Sequence, residues 1–260
     1  MDYLLFRLYG PMAAWGDIAV GESRHVHAAP TKSAVMGMVA AALGIDREQE
    51  VQHLALNQGY RMASAVLSEG DLLRDYHTVQ APDSVGKVRY RTRRDELVTG
   101  RDRLGTVLSS RDYRTDAQAL VALQCLEGAP LSLAELQAAL REPRFTLYLG
   151  RKSCPLAAPL QPEVLKADGF AAAFAQYQPA QSALSDSTAL HMQGYTDYYW
   201  EGEVADFADP QQLDVHQLMQ LTRHDRLLSR QRWQFGSNEI YRYREVSQDV
   251  SVQSSHQARD

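Results

Sequence analysis

The chain has 260 residues, 45% hydrophobic and 23% charged, with a formal net charge of -5, which suits a soluble protein of one large domain or two small ones that buries its core without staples. Its two cysteines, Cys125 and Cys154, are far apart and form no CxxC pair, so neither a disulfide framework nor a zinc site of the usual spacing is indicated. Residues 3–8 are too short for a secretory signal and residues 35–45 fall far short of a membrane span, and the expectation is a cytoplasmic protein without a membrane partner.

Residues 3–9 alternate, with Leu4, Phe6 and Leu8 on one face and Tyr3, Leu5, Arg7 and Tyr9 on the other, which predicts a strand. The second face, with its aromatics and arginine, suits contact with nucleobases or simple cover of a sheet edge. Gly10-Pro11-Met12 breaks the strand, and a loop with Trp15, Arg24, His25 and His27 leads to Pro30-Thr31-Lys32-Ser33. Val35, Met38, Val39, Ala42 and Leu43 then make one helical stripe, with Thr31 or Ser33 as cap and Gly44 as stop. The start of that helix, with Lys32 and Ser33, offers unpaired N–H groups to an anion. A polar helix over 47–57 and a strand over 60–67 follow, and Gly70-Asp71 turns the chain.

The next stretch, 74–114, begins Arg-Asp-Tyr-His and ends Arg-Asp-Tyr-Arg, an echo that reads as the two roots of one hairpin. From 85 to 115 nine basic residues (Lys87, Arg89, Arg91, Arg93, Arg94, Arg101, Arg103, Arg111, Arg114) face four acidic ones (Asp95, Glu96, Asp102, Asp112), a local +5 in a chain of -5. Charge segregated in this way suits a polyanion-binding arm, and it also fits a solvated, salt-bridged hairpin.

Beyond the arm, Ala119, Val121, Leu123 and Cys125 alternate in a third strand, and Ser132 with Glu135 forms a capping box for a helix carrying Leu133, Leu136 and Leu140. Phe145, Leu147 and Leu149 predict a fourth strand. Strand, helix, strand, insertion, strand, helix, strand is the split βαβ order of an α+β, ferredoxin-like (RRM-like) palm over 1–150, with a basic β-hairpin thumb inserted at about 75–114. Pro155, Pro159 and Pro162 form a rigid connection into a β-rich part over 151–246, read as a second, reduced sheet. It contains a short helix over 170–177 and strands over 198–204 and 233–243. The polar tail 247–260 reads as disordered.

No Walker loop, HExxH, GxSxG or carboxylate cluster is present, so nucleotide hydrolysis, zinc hydrolysis and serine-hydrolase chemistry have no foothold, and no cofactor or metal is expected. Metal-free RNA cleavage is the remaining catalytic option; it needs a general base near a 2′-OH and a cation for the phosphorane, roles open to Tyr76, His77 and Lys87. A histidine in such a strand-end motif is more often a hydrogen-bonding or packing residue. Cys154 has no histidine fixed near it by the pattern.

Five blocks together resemble the CasD family: Gly10-Pro11-Met12 with Ala14-Trp15-Gly16; Pro30-Thr31-Lys32-Ser33 with Gly37; Ala42-Leu43-Gly44-Ile45; Arg74-Asp75-Tyr76-His77-Thr78-Val79; and Tyr148-Leu149-Gly150-Arg151-Lys152-Ser153-Cys154-Pro155-Leu156. That family is the CRISPR-associated, RAMP-type subunit of the type I-E Cascade surveillance complex. The resemblance implies a palm and thumb that bind the 5′ handle of CRISPR RNA (crRNA) and contact CasC-type backbone and CasA-type large subunits. Target DNA is met through the assembled complex, and pre-crRNA is cut by a different subunit. The expected role is therefore a non-catalytic RNA-binding subunit, the alternative being a metal-independent endoribonuclease that processes pre-crRNA. The candidate RNA contacts are Arg24, His27, Lys32 and Ser33 before and at the first helix; Arg74, Tyr76, His77, Lys87, Arg89, Arg91, Arg93, Arg94, Arg111 and Tyr113 on the arm; and Arg151 and Lys152 after the palm. Phosphate contacts and stacking of splayed bases hold single-stranded RNA in such a setting.

Overall fold

The structure is a computed structural model that describes residues 1–19, 21–83, 90–99, 101–179 and 194–246. It is a mixed α+β molecule with a seven-stranded sheet in which β1 (Asp2–Tyr9) is the second strand from one edge. Both faces of β1 are buried. One face carries Leu4, Phe6 and Leu8 into a core shared with α1 (Lys32–Leu43), α2 (Glu50–Gly59) and α4 (Leu133–Arg141). The other carries Tyr3 and Leu5 into a second core under α5 (Phe170–Gln176). Tyr3 packs on Phe170 with ring centroids 5.0 Å apart, and Arg7 Nε donates to the Pro159 carbonyl at 2.9 Å. The reading of this face as a nucleobase platform is thus corrected, because the chain beyond residue 157 folds back over it.

Around β1 the strands run β4 (Tyr60–Ser68), β7 (Gln118–Cys125), β1, β8 (Glu163–Lys166), each antiparallel to its neighbour. The fourth strand is therefore not 145–149. Leu147 and Leu149 are buried there as their alternation suggests, but the backbone serves other partners. Arg144 and Phe145 N–H groups close the open carbonyls of Ala42 and Ala41 at the end of α1, and Leu149 N–H bonds the Cys154 carbonyl. Alternating burial reports which side chains point inward, not where the hydrogen bonds go. The capping box of α4 forms as expected, with Ser132 Oγ accepting from Glu135 N–H, and Leu133, Leu136 and Leu140 are all buried.

The expected second sheet is also corrected. β9 (Tyr195–Trp200) pairs with the free edge of β4, β11 (Gln234–Val246) pairs with β9, and β10 (Leu218–Ser229), which the sequence reading missed, pairs with β11. All three extend the first sheet. Trp200 welds the join, its ring stacked on Phe207 of the short α6 (Val204–Phe207) at 4.4 Å and on Tyr241 at 5.5 Å. Asp197, fully buried, accepts from Arg242 and from both ends of the Arg244 guanidinium across the β9–β11 pair. Among the described residues no helix is long and apolar enough to cross a membrane. The tail 247–260 lies outside the described residues.

Candidate nucleic-acid interface

Between β4 and β7 the chain leaves the main sheet as a hairpin of β5 (Asp71–Pro82) and β6 (Leu104–Thr115), paired without interruption from Asp71↔Thr115 to Pro82↔Leu104. The repeated Arg-Asp dipeptides explain each other in this register. Arg74 faces Asp112 and Asp75 faces Arg111, so antiparallel pairing turns two like-ordered dipeptides into two Arg–Asp pairs. The inner edge of β6 takes β2 (Met12–Ala13) and, in parallel, β3 (Ser23–Arg24), which sets Arg24 beside Arg111.

Gly150 locks the loop after the palm against this root. It has φ of +86°, and a Cβ there would stand 1.9 Å from the Ala14 carbonyl oxygen, so only glycine fits. Bonds from Cys154 N–H to the Arg151 carbonyl and from Ala14 N–H to the Leu149 carbonyl tighten the same turn. Arg151 is thereby delivered to the hairpin root. Its Nη1 donates to the Asp112 carbonyl at 2.9 Å, its Nη2 to the Arg24 carbonyl at 3.3 Å, and its guanidinium lies 4.8 Å from the Tyr113 ring centre.

The carboxylate of Asp112 is the hub. It accepts from Arg74 Nε at 2.8 Å and Nη2 at 3.2 Å and meets His25 Nδ1 at 2.9 Å, although the pairing residues are themselves half exposed. The hydrogen bonds from Arg74, offset by partial burial and aided by His25, hold the carboxyl down at about 2. Arg74 is raised in turn by the same hydrogen bond. The result is a set of guanidinium groups positioned by backbone carbonyls and one carboxylate.

Of the sequence candidates, Arg74 meets the Asp112 side chain on one face of β6 and Arg151 meets Tyr113 on the other, with Arg24 and Arg111 in register beside them. His25 joins them, a residue passed over as a loop histidine, and Asp112 organises them. The pairing of the two Arg-Asp dipeptides was the available signal for Asp112. Further out, Tyr76 is 60% exposed, and His77 Nδ1 meets Asp75 Oδ2 at 3.0 Å. Tyr76 and His77 are consecutive strand residues, so they point to opposite faces and do not converge. At the far end α3 (Arg93–Thr99) and a 3-10 turn cap the hairpin. Arg93 is spent on Glu96 and the Gln80 carbonyl, whereas Arg91 and Arg94 are exposed. Lys87 and Arg89 lie outside the described residues.

The helix-start candidates stand elsewhere, and their expected role is corrected. Lys32 N–H, the donor an anion would use, bonds Asp225 Oδ2 at 2.9 Å, and Lys32 Nζ pairs with Glu201 at 2.7 Å in a nearly enclosed site. Thr31 occupies the cap position without a side-chain cap bond, and Ser33 is half-buried beside it. Asp225 comes from β10, the strand the sequence did not reveal, so the anion that fills this helix start is internal. His27 is half-buried against Asp17, and burial lowers its pKa foremost. Lys152 leaves the 149–154 turn toward a separate cleft. Among the described residues no group of three His, Cys, Asp or Glu side chains is placed to hold a metal.

Comparison with known proteins agrees with the motif blocks. A family model described as "CRISPR-associated protein (Cas_Cas5)" matches residues 3–241. The chain is 34% identical over 186 residues to the "CRISPR system Cascade subunit CasD" of Escherichia coli (strain K12), covering 68% of this chain and 78% of that protein. Among solved structures, a chain of a "CRISPR RNA-guided surveillance complex" shares the fold with a TM-score of 0.62 at 21% identity, covering 94% of this chain and 90% of that one. A "Crystal structure of Cas protein" has a TM-score of 0.53 at 26% identity, covering 94% of each chain. This chain belongs to the CRISPR-associated Cas5 family.

Proposed function

We propose that the chain is a CasD-type subunit of a Cascade surveillance complex that holds the 5′ handle of crRNA without cutting it. In this reading β4, β7, β1 and β8 with α1 and α4 are a ferredoxin-like palm, and the β5–β6 hairpin is its thumb. The strand order β4-β7-β1-β8 supports it, since it is the order a split βαβ unit adopts. The observation that carries the function is the hub at the thumb root. Arg74 and Arg151 are pre-aimed by Asp112 and by backbone carbonyls, so little side-chain entropy remains to be lost when a phosphate arrives. The same assembly contacts CasC-type and CasA-type subunits and meets target DNA only through them.

The divergence of Tyr76 and His77 to opposite faces of β5 supports a non-catalytic role, because acid–base cleavage needs both within reach of one ribose. The test is copurification of the chain with its neighbours, followed by sequencing of the bound RNA and by incubation with repeat-containing RNA in EDTA. A bound repeat-derived 5′ handle, lost in Arg74→Ala with Arg151→Ala, and no cleavage are expected. Cuts at the repeat that vanish in His77→Ala would replace this reading with that of a metal-independent endoribonuclease.

A further inference from the structure

A cleft of about 560 Å³ opens between Gly37 and Ala41 of α1, the Ile45–Arg47 turn, His53 of α2, the 145–155 segment and Arg230 at the β10–β11 turn. Three cations, Arg47, Lys152 and Arg230, line it. Among the described residues none of the three is in an ion pair. The nearby carboxylate of Glu50 is turned to the backbone N–H groups of Arg230 and Gln231, leaving Asp46 as the acidic residue of the lining. Arg47 and Arg230 are held together by the same indole, Trp233, at 4.6 and 4.3 Å from its ring centre. Arg230 is half-buried, its Nε is enclosed without a hydrogen-bond acceptor, and its guanidinium lies 3.9 Å from the point where a Cβ on Gly37 would stand.

Like charges gathered in a half-closed cleft repel one another and lose hydration, and burial followed by the charge of Arg47 lowers the pKa of Arg230 accordingly. An entering phosphate anion relieves both costs. The lining also includes the aromatic and apolar residues Phe145, Leu147 and Tyr148, and the volume is that of a small-ligand site. We propose that this cleft binds one nucleotide, its phosphate on Lys152 and Arg230 and its base against Phe145 and Tyr148. The nucleotide is either a splayed unit of a bound RNA or a free nucleoside phosphate. Only the first source rests on the RNA-binding reading above. Arg151 and Lys152, consecutive in one turn, serve the thumb root and the cleft respectively, so a strand leaving the root has a route to it.

The full chain is titrated with adenosine 5′-monophosphate and with adenosine by calorimetry, while tryptophan emission is followed. Trp15 and Trp200 are buried and Trp233 is 53% exposed, so Trp233→Phe identifies the reporting ring. The monophosphate should bind about tenfold more tightly than adenosine, and Lys152→Gln and Arg230→Gln should each remove most of that difference. Lys152 is exposed, so its variant keeps the test valid if the Arg230 variant misfolds. An oligoribonucleotide that displaces the monophosphate identifies the unit as part of RNA, and one that binds alongside it identifies a free nucleotide. Adenosine binding as tightly as its monophosphate, or unchanged affinity for both monophosphate and RNA in Lys152→Gln, overturns the inference. RNA lost in Arg74→Ala, with both RNA and monophosphate affinity untouched by the cleft variants, overturns the cleft alone, whereas monophosphate binding without RNA binding overturns the handle-binding reading alone.

Discussion

Asp112→Asn tests whether the hub at the thumb root exists in solution. In the folded chain the Asp112 carboxyl titrates at about 2 against an ordinary value of 3.8. At 1.36 kcal/mol per unit this difference is worth at most about 2.4 kcal/mol. The hub sits on a thin arm beside half-exposed Arg74 and His25, and solvent screening reduces the expected value to about 1 kcal/mol. The folded value is the depressed one, so the stabilisation is fully present above the unfolded value of 3.8 and is lost as pH falls through about 2. Urea unfolding of wild type and variant should therefore differ by about 1 kcal/mol at pH 7, and the linkage expression has at least about half of that difference lost by pH 3. The variant should also bind RNA less tightly, because Arg74 loses its aim. A wild-type-to-variant difference that stays flat from pH 7 to pH 3 would refute the argument, since it would mean that the carboxylate is not held by Arg74.

Gly150→Ala should lower stability by more than about 2 kcal/mol, because the methyl would stand 1.9 Å from the Ala14 oxygen at a φ of +86°; thermal unfolding measures this, and RNA affinity should fall as Arg151 is displaced. Lys32→Met should cost about 3 kcal/mol in urea unfolding by leaving Glu201 buried without its cation, while Asn238 and Met62 N–H still bond it. RNA affinity of the folded Lys32 variant should be unchanged, and a clear loss would restore Lys32 as a contact. Replacing exposed Arg91 and Arg94 with Ala should reduce the log-log salt slope of RNA binding by about 0.7 for each phosphate contact removed. An unchanged slope would show that the tip of the arm lies on protein instead.

Local signals carried much of the fold because they are local in origin. The stripe Val35, Met38, Val39, Ala42 and the capping box Ser132–Glu135 specify α1 and α4 through contacts within a few residues. The hairpin was legible for a different reason, its two roots, 38 positions apart, being marked by the repeated Arg-Asp. Residues 145–149 misled because alternate burial of Leu147 and Leu149 looks the same in a loop as in a strand. β8 has only four residues, too few for a period to show.

By itself the sequence determined the α+β class, the basic arm, the helices that flank β1 and the motif blocks of the Cas5 family. Tertiary structure alone decided that β9, β11 and β10 extend the first sheet, for strand partners are chosen by long-range edge pairing that no window along the chain contains. That choice brought Asp225 and Glu201 onto Lys32 and so removed the helix start from the candidate site. It also left the thumb root as the place where Arg74 and Arg151, 77 positions apart in sequence, share one aspartate, its side chain taken by the first and its backbone carbonyl by the second. A charge in a sequence has a sign but no partner, and whether it faces an RNA phosphate or a buried carboxylate is settled only when distant segments meet.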